Sequence, residues 1–304
     1  VSGLNFSTTD IRVGDYVYNT TRAAVAQVSA IATALTVTSV AAQTAGDSLT
    51  LLKSAMPIAN FAHVHFNRLY LLDARDLRKV RISGANDPQD FSTDGATLDP
   101  ISFNFDLESA GNHLVAIGSF QRFLVMAGRR AIYVYQGTTP IGDDADLTII
   151  GSFPMGLVSR YGLLDIGNDL LFLSDDGLQS LRLIIDANAV QRANLAEPVR
   201  TTMRDLIKMT AEIDLRLTHY ARRSWALCKL GTEIYVFNYA ISLIDTENPV
   251  GGSWSRFTGP FAQQQVYLTR ADGNLICGGL DGRVFEFDQG TYLDDGAAIP
   301  TTYK

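Results

Sequence analysis

SFQRFLVMAGRRAIYVYQ, residues 119–136, sets the pattern for most of this chain. A polar reversal at Ser119-Phe120-Gln121-Arg122 leads into the apolar run FLVMAG. A second reversal at Arg129-Arg130 leads into AIYVYQ. Both runs are strand-length, rich in β-branched and aromatic residues, and bounded by polar turns. The unit recurs. Reversals at Phe66-Asn67-Arg68, Gly167-Asn168-Asp169, Leu230-Gly231-Thr232 and Asp272-Gly273-Asn274 precede LYLLD, LLFLSDDG, EIYVFN and LICGGLDG. RKVRIS at 78–83 and RVFEFD at 283–288 supply further strands. Successive reversals stand roughly 40–60 residues apart, the period of stacked β-meanders such as propeller blades. Asp-Gly pairs at 94–95, 176–177, 272–273, 281–282 and 295–296 offer the positive φ that tight hairpins need.

Working outward, the expectation is an all-β chain. A β-propeller of five or six blades occupies 57–304, and a small SH3-like or OB-like β domain occupies 1–56, with Pro57 at the boundary. In the front segment LTVTSV at 35–40 alternates with period two, and Gly46-Asp47 turns the chain into SLTLL. One stretch departs from the β pattern. From Leu195 to Leu217, Val199, Met203, Leu206 and Ile207 follow helical spacing, and Pro198 sits where a first-turn proline is tolerated. It reads as one short helix inserted between blades.

Composition fits a folded chain, with 46% hydrophobic and 19% charged residues. The net charge of −7 argues against a protein that grips nucleic acid through its phosphates. No apolar run reaches the roughly 18–20 residues of a membrane span. Cys228 and Cys277 form no CxxC pair and read as reduced, buried thiols. The chain opens on Val1 and closes on TTYK at 301–304, so we expect a segment of a longer protein.

Candidates for chemistry are few. His63 and His65 lie two apart on an expected strand and share a face, but a zinc site needs a third ligand that no spacing supplies. Asp143, Asp144 and Asp146 in GDDADL, Asp175-Asp176-Gly177 and Asp294-Asp295-Gly296 cluster carboxylates, yet GDDADL lacks the glutamate of a calcium loop. They read as solvated turn residues. His113 and His219 stand outside any nucleophile motif, and no G-x-S-x-G elbow, P-loop or dinucleotide fingerprint occurs. Ser174-Asp175-Asp176-Gly177 is one residue too short for a sialidase-type box. Basic residues gather at Arg75, Arg78, Lys79 and Arg81, at Arg129-Arg130 and at Arg222-Arg223, without the interleaved aromatics of a single-strand platform. They suit solvated faces or contacts with an acidic protein. We therefore assign no catalytic, cofactor or metal-ligating residue and expect no enzyme.

Several stretches resemble the tail-nozzle, or packaged-DNA stabilisation, proteins of short-tailed bacteriophages. FNRLYLLDARDLRKVRISGANDPQDFS at 66–92 is similar to their opening blade. RYGLLDIGNDLLFLSDDGLQSLRL at 160–183 resembles the blade whose Gly-Asn-Asp turn leads into Phe-Leu-Ser-x-Asp-Gly. LAEPVR at 195–200, SWALCKLGTEIYVFNY with Gly252-Ser253-Trp254-Ser255-Arg256, and DGAAIPTTYK at 295–304 match further parts. The resemblance covers about four fifths of the chain through degenerate blade patterns. It implies a structural virion protein, assembled in the host cytoplasm into a homo-hexameric tube of the tail. That tube would meet the head-to-tail adaptor, hold fibres or spikes and a plug, and pass the genome without sequence-specific binding. A second reading is a glycan- or ligand-binding propeller for host recognition, with Tyr161, Tyr220 and Phe261 on its loops. A third, a quinoprotein or glycosidase propeller, finds some support in GGLDGRVFEFDQGT at 278–291. It lacks the tryptophan docking signature, since only Trp225 and Trp254 are present.

Overall fold

The computed structural model describes residues 16–19, 21, 24–31, 35–38, 49–52, 58–86, 88, 91, 101–104, 112–138, 146–187, 194–242, 253–279, 282–287, 293–294 and 297–298. The chain divides into two compact units, Val1–Asp106 with Thr138–Leu147, and Leu107–Gly137 with Thr148–Lys304.

The first unit holds two four-stranded antiparallel sheets. In one, β1 (Tyr16–Asn19) lies between β2 (Ala24–Ile31) and β4 (Leu49–Leu52), and β3 (Leu35–Thr38) pairs with the far edge of β2. In the other, β5 (Ala59–His65), β6 (Arg68–Asp73), β7 (Lys79–Ile82) and β8 (Ile101–Asn104) follow one another as a meander. The expected boundary at Pro57 falls between these sheets, outside the described residues. β6 is buried almost throughout, which its charged ends survive by bonding locally. Arg68 donates from Nη1 to the Ser83 carbonyl at 2.9 Å. Asp73 pairs with Arg81 Nε at 3.2 Å and accepts the Arg75 and Asp76 amides, shaping the β6–β7 turn.

The β5–β6 hairpin is closed by the His65–Arg68 pair, leaving two turn residues, Phe66 at φ 40° and Asn67 at φ 59°. Two positive φ values make the mirror-image turn that matches strand twist. Asn tolerates that backbone. For a bulky side chain it costs on the order of 1–3 kcal/mol.

The second unit is a series of antiparallel sheets. The first holds β9 (Leu114–Phe120), β10 (Phe123–Gly128), β11 (Ile132–Gln136) and β12 (Thr148–Phe153). The next has β13 (Leu163–Asp165), β14 (Leu170–Ser174) and β15 (Gly177–Ser180). Then come β16 (Leu215–Tyr220), β17 (Trp225–Leu230), β18 (Glu233–Asn238) and β19 (Ser253–Phe257), followed by β20 (Val266–Thr269), β21 (Leu275–Gly278) and β22 (Val284–Glu286). A two-stranded hairpin, β23 (Leu293–Asp294) with β24 (Ala297–Ala298), ends the described chain. Within each sheet sequence neighbours are spatial neighbours. The first strands stand side by side, β13 touching β9 and β16, and β16 touching β20. Meanders joined in series through their first strands are blades, and the fold is all-β of the propeller type.

Why the blade strands read as largely apolar runs is visible at β17 and β18. Ala226, Cys228, Leu230, Tyr235 and Phe237 enter a core shared with Leu171, Leu173, Leu178, Met203 and Ile207. The alternate residues Leu227, Ile234 and Val236 enter a different core, with Tyr267, Leu275 and Cys277. Period two is intact, but both faces are buried, and inside these two strands only the buried Lys229 interrupts the apolar residues. A fully buried Leu, Ile, Val, Phe or Met among them contributes roughly 1.5–3 kcal/mol by leaving water.

The expected helix is present and shorter than its spacing suggested. Glu197–Val199 forms a single 3-10 turn carrying Pro198, and α2 (Arg200–Met209) buries Met203 and Ile207. Glu212–Asp214 makes another 3-10 turn, and residues from Leu215 onward are already β16. Two further helices were not expected, α1 (Leu181–Ala187) and the four-residue α3 (Tyr239–Ser242). α1 starts because two side chains satisfy its first amides. Ser180 Oγ accepts from Leu183 N at 3.1 Å, and Asp169 Oδ1 accepts from Arg182 N at 3.0 Å. Ser180 Oγ in turn donates to Asp169 Oδ2.

Candidate functional site

The structure places several of the residues nominated for chemistry. His63 and His65 do lie on β5, two apart. Among the described residues, however, no group of three His, Cys, Asp or Glu is placed to hold a metal. The His65 ring is buried between Phe66, edge-on at 4.4 Å, and Tyr70. Burial, helped by the nearby His63, lowers its pKa from 6.5 to about 4, so it is neutral at physiological pH. Asp143, Asp144 and Asp295 lie outside the described residues. Asp146 accepts from Thr138 N at 2.8 Å. Ser174 Oγ donates to the Gly177 carbonyl and accepts the Asp176 amide, which makes SDDG a turn. Asp176 also meets Arg200 of α2 at 3.2 Å.

The basic residues are largely spoken for as well. Arg129 Nη1 donates to the carbonyls of Leu157 and Val158. Arg222 Nη1 donates to Asn274 Oδ1 at 2.8 Å, linking two hairpin tips. Cys228 and Cys277 are both buried and sit in different cores, and burial pushes the Cys228 thiol pKa up. His219, isolated in sequence, joins Tyr239 through an Nε2–Oη hydrogen bond of 2.7 Å. The lowered His219 pKa comes first from burial, with Asp165 acting against it. Tyr239 N donates to the carbonyl of Ser224, so this link ties α3 to the β16–β17 reversal.

The three aromatic loop candidates do not form one binding face. Tyr220 is wholly buried. Phe261 stacks on Phe287 at 4.5 Å, and both belong to a half-buried cluster with Trp225, Phe257 and Phe285 that seals the edge of a core. Tyr161 lies elsewhere, under the Arg216 guanidinium at 4.0 Å. Sequence reading missed Trp225, Phe257, Phe285 and Phe287 as companions of Phe261. The F-x-x-x-F spacing at 257–261 was the signal available.

What the described surface does offer is apolar area. On β20–β22, Val266, Gly278 and Val284 form one cross-strand row and Leu268, Ile276 and Glu286 the next. Leu268 is 58% exposed and Val284 71%. On the edge strand β12 the register shifts around Ile150, and Ile149 and Ile150 are both exposed. A bulge that blunts an edge strand limits open-ended pairing. Phe66 stands 45% exposed on the β5–β6 tip.

Comparison with known proteins adds similarity of fold only. No family model matches the chain, and no curated protein matches it. Among solved structures it is similar to PorZ, a bacterial surface component of the type-IX secretion system of Porphyromonas gingivalis. That match has 12% identity and a TM-score of 0.46 and covers 78% of this chain. The chain spans 28% of the length of that PorZ structure. It is also similar to the AfRom2 CNH domain, at 9% identity and TM-score 0.42, covering 88% of this chain and 78% of that one. Kluyveromyces lactis Hsv2 follows at 14% identity and TM-score 0.35, covering 74% and 71%. Among the described residues no helix is long and apolar enough to cross a membrane.

Proposed function

We propose that this chain is a structural subunit of a short-tailed phage virion, a nozzle protein that works by assembling. The observation that carries the reading is what the nozzle-like stretch at 160–183 does. It builds β13, β14, β15 and the start of α1, and its most distinctive residues serve that construction. Gly167 takes φ 90° at the Gly-Asn-Asp reversal, Asp169 caps α1, and Gly177 takes φ 109° at the Asp-Gly turn. Exposed apolar rows on β12 and β20–β22 suit contacts with other virion proteins. The charge of −7 suits a wall past which DNA slides instead of sticking. The partners of this reading are further copies of the chain, six to a ring, with the adaptor above and fibres or spikes and a plug below.

The test is the native mass of the full chain, with negative-stain images taken with and without a purified adaptor ring. The expected outcome is a ring near six copies with a central hole that docks on the adaptor. A chain that stays monomeric and ignores the adaptor overturns the reading.

A further inference from the structure

α3 (Tyr239–Ser242) is a single turn, too short to hold itself helical in water. Its hold comes from outside the turn. The Tyr239 amide donates to the Ser224 carbonyl at 3.1 Å, and the Ala240 amide donates to Asn238 Oδ1 at 3.1 Å. The Tyr239 phenol reaches back to β16, where its Oη lies 2.7 Å from His219 Nε2 and the two rings are 5.8 Å apart. Ser224, in the β16–β17 reversal at φ 57°, bonds the same phenol oxygen through its hydroxyl. Ser224, Tyr239 and His219 thus form a chain of hydrogen bonds. His219 is its one member that gains a proton near neutral pH.

The neighbours of the imidazole bear on that proton. β17 sets Ala226 opposite His219, and β20 brings the Thr269 hydroxyl, which donates to the His219 carbonyl. Arg216 of the same strand bonds the Ile213 carbonyl and covers the Tyr161 ring, and Arg222 of the reversal bonds Asn274. From β13, Asp165 favours the imidazolium, but it is exposed and its Oδ1 accepts the Gly167 amide at 2.6 Å. Burial of the ring outweighs it. With the ring neutral, Nε2 can accept the Tyr239 proton while Tyr239 accepts from Ser224. An imidazolium donates from Nε2 instead, so the Tyr239 proton has to turn to Ser224 and the chain reverses.

We propose that these three residues are an acid-released latch: protonation of His219 parts it from Tyr239, and α3 leaves the β16–β17 reversal. The sign follows from burial. The folded ring titrates below its unfolded value of 6.5, so the open form binds the extra proton. The latch is fully closed above pH 6.5 and weakens as pH falls below it. α3 begins the link from β18 to the edge strand β19, so acid loosens that link while β16–β19 stay paired.

The experiment follows amide hydrogen exchange of the full chain from about pH 7.5 to about pH 5.5, corrected for intrinsic rates, together with the ring resonances of its histidines. The amides of residues 239–242 are expected to lose roughly three- to tenfold of their protection on acidification, while those of β17 keep theirs. The midpoint of that loss matches the His219 titration. In His219→Gln, which cannot take up the proton, the difference between the two pH values disappears. Tyr239→Phe lacks the phenol and exchanges fast at both. Equal protection of 239–242 at the two pH values overturns the latch, and so does a loss shared equally by β17, which is global unfolding. A difference that persists in His219→Gln gives the effect to another group and overturns it too. If His219→Gln does not fold, the match or mismatch of the two midpoints in the parent decides.

Discussion

Gly156 shows how little room single residues have. A methyl carbon there would lie 1.7 Å from the Arg129 carbonyl oxygen, a backbone atom that cannot swing aside. Gly156→Ala is expected to lower stability by roughly 2–4 kcal/mol, read from a urea midpoint. His65 makes a prediction about pH. Its folded pKa, about 4, lies below its unfolded value of 6.5, so the unfolded chain binds the extra proton between those limits. Stability is therefore full above pH 6.5 and declines as pH falls toward 4. In His65→Leu that part of the stability–pH curve should be flatter, and an unchanged slope would show that another group titrates. Reading from sequence reached the location of the Phe66-Asn67 reversal through its Asn. The strain at Phe66 was not legible, because φ is settled by the two-residue closure between His65 and Arg68 and not by residue type.

Elements were legible where local and tertiary preferences agree. The strands on either side of Gly231 and Gly273 announce themselves by composition; both glycines take positive φ, as expected for Gly273 in its Asp-Gly pair. α1 was hidden. LQSLRLII reads equally as the end of a buried strand, and what starts a helix at 181 is a pair of caps, one from Ser180 within the stretch and one from Asp169, supplied by another turn. Removing that cap by Asp169→Ala should cost about 1–2 kcal/mol and reduce helical circular dichroism. α2 was visible because its buried residues recur at i and i+4, but its end was not, since Leu215 and Leu217 continue the apolar spacing while belonging to β16. Met203→Ala opens the core under α2 and should cost about 2–5 kcal/mol in a denaturant titration. Trp254 ties β19 to the segment before α2 through an Nε1 bond of 3.0 Å to the Leu195 carbonyl. Trp254→Phe keeps the ring and should lose about 1 kcal/mol.

At the scale of the second unit, stability is that of a series, each blade leaning on its neighbours. The two cysteines report on different places in that series. Cys228 lies in a core packed by blades and α2, while Cys277 lies under β20–β22, whose other face carries exposed Leu268 and Val284. In mild denaturant Cys277 should react with a thiol reagent before Cys228, as local opening precedes global unfolding. Simultaneous labelling would show one cooperative block. The candidate surface was the least legible part at this scale. Tyr220 and Phe261 look alike as loop aromatics, and only the packing of neighbouring sheets decides that one is sealed inside and the other half covered.

The two-sided burial of β18 has a consequence for how the chain finds its fold. In a half-buried strand a slip of one residue drives polar side chains inward and is rejected at once. In β18 a slip exchanges Ile234 and Val236 for Tyr235 and Phe237, apolar for apolar, so greasiness cannot proofread the alignment. Proofreading falls to the hairpin between β17 and β18, where Leu230 faces Glu233 across Gly231 at φ 66°. A residue that resists that bend would leave mispaired strands as long-lived dead ends on the way to the native chain, and it would slow refolding more than it weakens the finished molecule.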